Sequence, residues 1–309
     1  MTPIKSNAPV ALFVYNRLDT VKKTIAHLQR NELAEETELF IFSDGGKDKK
    51  SWKQVERLRE EMRRTTGFKQ VTLIERPVNI YLERNILEGI AYLFERYDRL
   101  IVLEDDICTS PYFLTYMNEA LEQYKENETV MHVSGFTNLC LTDRGDTYFT
   151  PHMSGWGWAT WRHKWNVFKH YTTRAEALEG LTEEDCQRMQ YGGSFPCLKS
   201  LDKTPIPWDI CWEIAIYRHH GLCLTPTRTL VRNIGIYGGT HFHLSQWIGK
   251  YEYDRPVTEV PILLPDASTP VAADPEIEKL YPEAFKDWGI RYSLLGKILR
   301  FIYLKLIKK

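Results

Sequence analysis

Leu100-Ile101-Val102-Leu103-Glu104-Asp105-Asp106 joins four consecutive apolar residues to three consecutive acids. Four apolar residues are too few for a typical helix. Preceded by Asp98 and Arg99, they read as a strand buried on both faces. The acids then fall at its C-terminal end, which is where ligands bind in an open α/β sheet. Three adjacent carboxylates repel one another unless something positive neutralises them. A divalent cation does so economically, because Mg²⁺ or Mn²⁺ takes hard oxygen ligands and is commonly shared with substrate phosphates. The plainer alternative is a solvated acidic turn.

Working outward from this strand, the same pattern repeats. Pro9 to Val14 reads as a strand ending in Tyr15-Asn16-Arg17, and Val21, Ile25 and Leu28 mark the face of a following helix. Glu38 to Phe42 is a second strand, closed by the turn Ser43-Asp44-Gly45-Gly46. A charged helix over 51–65 carries Val55, Leu58 and Met62 on one side. Val71 to Ile74 is a third strand, stopped by Pro77, and Ile86, Ile90, Leu93 and Phe94 form an amphipathic helix leading into the acidic strand. Phe113 to Tyr124 is helical and Val130 to Val133 extended. Strands alternating with helices at this spacing predict β-α-β units, hence an α/β fold built on a mostly parallel sheet with flanking helices. On that sheet Asn16-Arg17, Asp44-Gly45-Gly46 and Glu104-Asp105-Asp106 fall along one rim. No G-x-G-x-x-G or G-x-x-x-x-G-K-[ST] occurs, so neither a dinucleotide fingerprint nor a P-loop is supported.

After about residue 140 the character changes. Gly155-Trp156-Gly157-Trp158-Ala159-Thr160-Trp161 and Trp165 are dense in aromatics, and a polar helical stretch (172–190) follows. Trp208-Asp209 opens a helix through Tyr217, Leu222 to Thr225 reads as a strand, and 256–275 is Pro-rich and predicted to wrap the surface. The expected organisation is a first half, 1–140, a smaller second half of the same domain, 141–265, and a C-terminal extension, 266–309.

Composition narrows the function classes. In 309 residues, a net charge of −1 gives no basic footprint, so nucleic acid is not an expected partner. The 9 Trp and 17 Tyr suit sugar rings as well as large cores. The 6 cysteines are scattered without a C-x-x-C pair, which argues against zinc and against a disulfide scaffold. Met1 to Pro9 lacks an apolar signal region and no stretch of about 18 apolar residues occurs, so a cytoplasmic location is expected.

Together the loops resemble those of GT-A glycosyltransferases, and more narrowly the inverting N-acetylglucosaminyltransferase I type with its bacterial relatives in polysaccharide synthesis. Pro9 to Arg17 is similar to that family's first strand and Asn-Arg loop, and Ser43-Asp44-Gly45 to its nucleotide-binding Asp loop. Glu104-Asp105-Asp106 stands at its "EDD" form of the DxD metal motif, followed by a similar Ser110-Pro111-Tyr112-Phe113. Gly155-Trp156-Gly157-Trp158 and Trp208-Asp209-Ile210-Cys211-Trp212 resemble its acceptor-side motifs, and Gly221 to Gly235 the run that closes the fold. The resemblance covers about residues 9–245. It departs from the animal enzyme in carrying Trp208-Asp209-Ile210-Cys211-Trp212 where that has W-D-D-W, and in lacking a Golgi anchor.

The resemblance implies a GT-A, Rossmann-type nucleotide-binding sheet fused to a smaller acceptor-binding part. It implies a metal-dependent inverting transfer from a nucleotide-sugar, UDP-linked, to a hydroxyl of a glycan or lipid-linked oligosaccharide in bacterial surface polysaccharide synthesis. Asp106 would bind Mn²⁺ or Mg²⁺, Glu104 and Asp105 would orient nucleoside and donor sugar, Asp44 would accept from uracil, and Arg17 would meet ribose or phosphate, with Asn16 beside it. Asn85 is a weaker nucleotide-side candidate, its alternative being an exposed helix position. Asp209 is the expected general base, with helix capping as its alternative, and Glu213 is the reserve. His241, after Gly238-Gly239-Thr240, is a second metal candidate or an exposed loop residue. Of Trp156, Trp158 and Trp161, one or two are expected to face the cleft. The tail 293–309 places Leu294, Leu295, Ile298, Leu299, Ile302 and Leu306 on one arc, with Lys297, Arg300 and Lys308 off it. Such a helix suits the anionic inner face of the plasma membrane, or equally the protein's own surface or a second subunit in a homodimer. Rival readings are a sugar-nucleotide nucleotidyltransferase, for which Tyr15-Asn16-Arg17-Leu18 is not the Gly-rich loop required, and a non-catalytic carbohydrate-binding protein on the same fold.

Overall fold

A computed structural model of the chain describes residues 6–139, 141, 143–235 and 256–285. The first half runs β1 (Val10–Val14), α1 (Leu18–Gln29), β2 (Glu38–Ser43), α2 (Lys49–Met62), β3 (Gln70–Glu75), α3 (Tyr81–Phe94), β4 (Arg99–Glu104), β5 (Ile107–Thr109), α4 (Phe113–Gln123) and β6 (Val130–Ser134). The second continues with β7 (Thr147–Thr150), β8 (Trp158–Trp161), α5 (Arg162–Trp165), α6 (Arg174–Leu178), α7 (Glu183–Met189), α8 (Trp208–Arg218), β9 (Leu222–Pro226) and β10 (Val231–Asn233). Two short helices follow, α9 (Pro275–Glu278) and α10 (Tyr281–Ala284). The polar stretch 172–190 is thus two short helices, separated at Gly180, whose φ of +78° interrupts the helical path.

Eight strands form one sheet in the order β3-β2-β1-β4-β8-β6-β9-β7. From β3 to β4 every pairing is parallel, as is β6 with β9, while β8 lies antiparallel to both β4 and β6. This is the mostly parallel α/β sheet with flanking helices that the sequence predicts. The apolar run of β4 shows why it reads as doubly buried. Ile101 and Leu103 join the core on the side of α1, α2 and α4, whereas Leu100 and Val102 join the core on the side of α3 and α8. Successive side chains point to opposite faces, so both sides must be apolar.

The tryptophans narrow one expectation to Trp156. Trp158 and Trp161 do not face a cleft: they lie in β8 with 0% and 2% exposure, and the Trp161 indole N–H donates to the Leu121 carbonyl at 2.9 Å. Both faces of β8 are covered, Ala159 and Trp161 entering one core and Trp158 the other. Trp156 is half-buried, edge-on to Phe136.

The segment 256–275 has no regular structure until α9 and wraps the surface as predicted. It is stapled down where the Ser110 hydroxyl donates to the Thr258 carbonyl at 2.6 Å and Leu263 N–H to Asp146 at 2.9 Å. Beyond it, Ile277, Tyr281 and Phe285 pack against Leu139, Tyr148 and Tyr191. No helix among the described residues is long and apolar enough to cross a membrane. The tail 293–309 lies outside the described residues.

Candidate active site

Because β2, β1 and β4 are adjacent and parallel, the loops leaving their C-terminal ends meet on one rim. Arg17, just past β1, reaches across to the acids past β4. Its guanidinium bonds both oxygens of Asp105, one of them through Nε at 3.3 Å, and Oδ2 of Asp106 at 2.8 Å. Arg17, expected at ribose or phosphate, is thus engaged with the acidic triplet and brings one positive charge to three negative ones. The balance of charge shows in the acids. Burial first, then the neighbouring Asp106 and Asp105, pushes the Glu104 carboxyl well above its ordinary range. Burial likewise pushes Asp105 up to about 6, against the pull of Arg17.

The backbone fixes the triplet from two further sides. Thr24 of α1 donates its hydroxyl to the Asp105 carbonyl at 3.0 Å. The antiparallel pair β5–β10 returns the chain so that Ile234 N–H donates to the Asp106 carbonyl at 2.8 Å. It also presses Gly235 against the Asp106 side chain, so closely that a β-carbon there would meet the carboxylate.

Asp44, past β2, is buried and organises its surroundings. Its Oδ1 accepts from the N–H groups of Gly45 and Ile80, each at 2.8 Å, and its Oδ2 accepts from Asn79 Nδ2 at 2.8 Å. Asn85 is not an exposed helix position. It is buried in α3, accepting from Arg76 Nε at 3.0 Å and donating to the Phe42 carbonyl at 3.2 Å. Both ends of its amide make bonds within the protein. Asn16 is on the rim, donating to Gln54 at 2.9 Å.

Opposite this rim stands α8. Trp208 stacks on Trp158 with ring centroids 5.2 Å apart, and Trp212 donates its indole N–H to His132 Nδ1 at 3.3 Å. From Trp208 to Tyr217 every residue of the helix is buried except Asp209, which is exposed. The two tryptophans thus anchor the first turns while the carboxylate between them projects outward. The helix begins at Trp208 with Pro207 in the cap position, so Asp209 is not the cap; its Oδ1 accepts from Ile210 N–H at 2.8 Å. Glu213 points into the protein instead. It is buried, with Oε1 3.1 Å from His152 Nδ1 and Oε2 accepting from Met153 N–H at 2.9 Å. Two internal partners leave the reserve base tied to the fold.

Two neighbours of this site escaped the reading of the sequence. Gly235 lies 129 positions from Asp106, and nothing local signals their contact. Glu83 looks like an ordinary polar residue of an amphipathic helix. In the fold, however, burial first, opposed by the Trp208 backbone N–H at the start of α8 and aided by the charge of Asp209, raises its carboxyl to about 7. Asp209 opposes Glu104 in the same way, so carboxylates from α3, β4 and α8 converge on one place.

The donor set suits a hard divalent cation. Asp106 Oδ1 is buried and has no hydrogen-bond partner, although Oδ2 is bonded to Arg17, so one hard oxygen remains open. No group of three His, Cys, Asp or Glu side chains that would cage a metal occurs among the described residues. The open oxygen of Asp106 could serve Mg²⁺ or Mn²⁺, which one or two carboxylates hold and substrate phosphates and water complete. His241 lies outside the described residues.

The family model for glycosyl transferase family 2 matches residues 10–182, and no curated protein matches the chain. Among solved structures, the mannosyltransferase PcManGT from Pyrobaculum calidifontis, in complex with GDP-Man and Mn²⁺, is similar at 10% identity. The match covers 71% of each chain with a TM-score of 0.40. TarS of S. aureus is similar at 12% identity over 41% of this chain and 21% of its own, with a TM-score of 0.31.

Proposed function

The chain belongs to glycosyl transferase family 2, and on the resemblance of its loops we propose that it is a metal-dependent, inverting glycosyltransferase of the N-acetylglucosaminyltransferase I type. It moves a sugar from a UDP-linked donor to a hydroxyl of a glycan or lipid-linked oligosaccharide in bacterial surface polysaccharide synthesis. Residues 1–140 bind the donor and 141–265 the acceptor. The observation that carries this reading is Asp209: the one exposed residue between Trp208 and Tyr217, held opposite the acids that end β4.

An inverting displacement forms no covalent sugar intermediate, so the attacking hydroxyl must lose its proton to a base on the acceptor side. Asp209 takes that proton, a contribution typically of 10²–10⁴-fold. Asp106 holds Mn²⁺ or Mg²⁺, which when bound supplies charge stabilisation for the departing diphosphate. Arg17 fixes Asp105 and Asp106 in register, and Asp44 presents the loop on which the uracil rests. The tail 293–309 contacts an anionic membrane surface or a second subunit.

A panel of nucleotide-sugars, screened for Mn²⁺-dependent hydrolysis and thermal stabilisation, tests the reading. UDP-sugars should stand out, and Asp106→Ala should remove both effects while leaving the protein folded. UDP binding by that variant with unchanged Mn²⁺ dependence would falsify the metal assignment.

A further inference from the structure

Arg59 belongs to a charged helix, yet it shares a face of α2 with Val55, Leu58 and Met62 at three- and four-residue spacing. The helix therefore carries it inward, and only 6% of it is exposed. A buried guanidinium is costly unless its N–H groups find acceptors. Nε donates to the Ser43 hydroxyl at 3.0 Å. Nη2 faces three backbone carbonyls, those of Ser43 at 3.1 Å, Asp44 at 3.3 Å and Arg76 at 2.8 Å. Nη1 meets Glu75 at 3.3 Å, and the Trp52 ring covers the group with its centroid 5.4 Å away.

These acceptors come from two chain segments, the end of β2 with its loop and the end of β3 with its loop. The Asp44 carboxylate joins the same two loops a second time. Its Oδ1 accepts two N–H groups, from Gly45 and Ile80, and its Oδ2 accepts one, from Asn79. A carboxylate oxygen can accept two such bonds, so Oδ2 keeps one acceptor position. Where that position points depends on how the two loops stand, and Arg59 holds both by their backbones.

We propose that Arg59 is a positioning residue for the nucleobase: it clamps the loops after β2 and β3 together and so aims the remaining acceptor of Asp44 at an N–H of the base. This rests on the reading of Asp44 as the uracil acceptor. Hydrogen bonds weaken steeply when misdirected, and a loop already in place need not be ordered when the ligand binds. The planar fork of arginine spans several carbonyls at once, which the single ammonium of lysine cannot reproduce. None of these bonds goes to the acids after β4, which Arg17, Thr24 and Ile234 hold instead. The clamp therefore serves the base and spares the diphosphate.

Amide hydrogen exchange of the full-length protein, without nucleotide or metal, tests the clamp itself. In Arg59→Lys the Ile80 amide, which bonds Asp44, should exchange roughly tenfold faster while amides of β4 keep their protection. Unchanged exchange at Ile80 overturns the proposal, and so does a general loss of protection, which would make Arg59 a support of the whole fold. Calorimetry with Mn²⁺ and either UDP or inorganic pyrophosphate then tests the consequence. Arg59→Lys should weaken UDP by at least about fivefold, the equivalent of one hydrogen bond, and leave pyrophosphate unchanged. Equal losses for both ligands, or no loss for UDP, overturn it. In an Asp44→Asn background the loss should vanish, because the acceptor that Arg59 aims is gone. Should Arg59→Lys fail to fold, Ser43→Ala removes only the acceptor of Nε and should give the same pattern on a smaller scale; its absence is equally fatal. Asp44→Asn alone separates the two readings. If it leaves UDP affinity intact, the base assignment of Asp44 falls and the role of Arg59 with it. If it weakens UDP while Arg59→Lys does not, only the positioning role falls.

Discussion

Gly235 is packed against Asp106 so tightly that a methyl group in place of its hydrogen would lie 2.7 Å from Asp106 Cγ and 2.9 Å from the Arg17 guanidinium. Carbon and oxygen atoms do not approach that closely without displacement, and Asp106 and Arg17 are the parts free to move. Gly235→Ala should therefore push the carboxylate off its Arg17 partner. Mn²⁺-dependent UDP binding, followed by calorimetry, should weaken at least about tenfold, which corresponds to roughly 1.4 kcal/mol. The melting temperature should change little, because the apolar core is untouched. Unchanged affinity would mean that the Asp106 side chain plays no part in holding the nucleotide.

Asp209 and Glu213 are one helical turn apart and should respond in opposite ways. Asp209→Asn removes an exposed carboxylate, so the melting temperature and donor affinity should stay near wild type. Turnover should fall by at least about 10²-fold. Glu213→Ala strips the acceptor from His152 Nδ1 and Met153 N–H in a buried place, at a cost of about 1–3 kcal/mol. Thermal melts beside turnover assays separate the two; full activity in Asp209→Asn would move the base elsewhere.

His132 offers a test of the core. Full burial holds its imidazole down to about 3, below the unfolded value of about 6.5. The unfolded chain therefore binds a proton that the folded one refuses. The stability this group contributes is complete above about pH 6.5 and is lost as the pH falls toward 3, by up to about 1.4 kcal/mol per pH unit. Urea denaturation between pH 7 and 4 should show this slope, and His132→Gln should flatten it by the equivalent of one proton.

Deleting residues 293–309 should leave turnover of soluble substrates largely intact and reduce binding to anionic vesicles, through loss of apolar burial and of Lys and Arg attraction. Vesicle flotation with neutral and anionic lipids measures this. A truncated protein that fails to fold, or changes its oligomeric state, would assign the tail to the protein's own surface or to a subunit contact.

What the sequence made legible follows from distance along the chain. β4 declared itself because burial on both faces demands an uninterrupted apolar run, and the acids after it could belong only to a strand end. The opening of α8 was equally readable, since Trp208 and Trp212 frame Asp209 at helical spacing. By contrast, β8 is four residues long, and it is defined by partners in β4 and β6 rather than by its own pattern. Which of Trp156, Trp158 and Trp161 would be core was therefore not legible. The burial of Asn85 could not be read locally because its partners, Phe42 and Arg76, come from other elements. Arg17 was found by its position, but its engagement with Asp105 and Asp106 is a cross-strand relationship that no local pattern encodes.

The placement of β8 bears on how enzymes of this build can be re-engineered. A strand from the second half of the chain is hydrogen-bonded on one side to β4, the last of four adjacent strands from the first half. Cutting the chain near residue 140 would leave β4 with a bare edge, an invitation to intermolecular strand pairing. The two halves of the chain are therefore not interchangeable cassettes that can be shuffled between relatives. A redesign has to work through the loops around α8, with the seam of the sheet left alone.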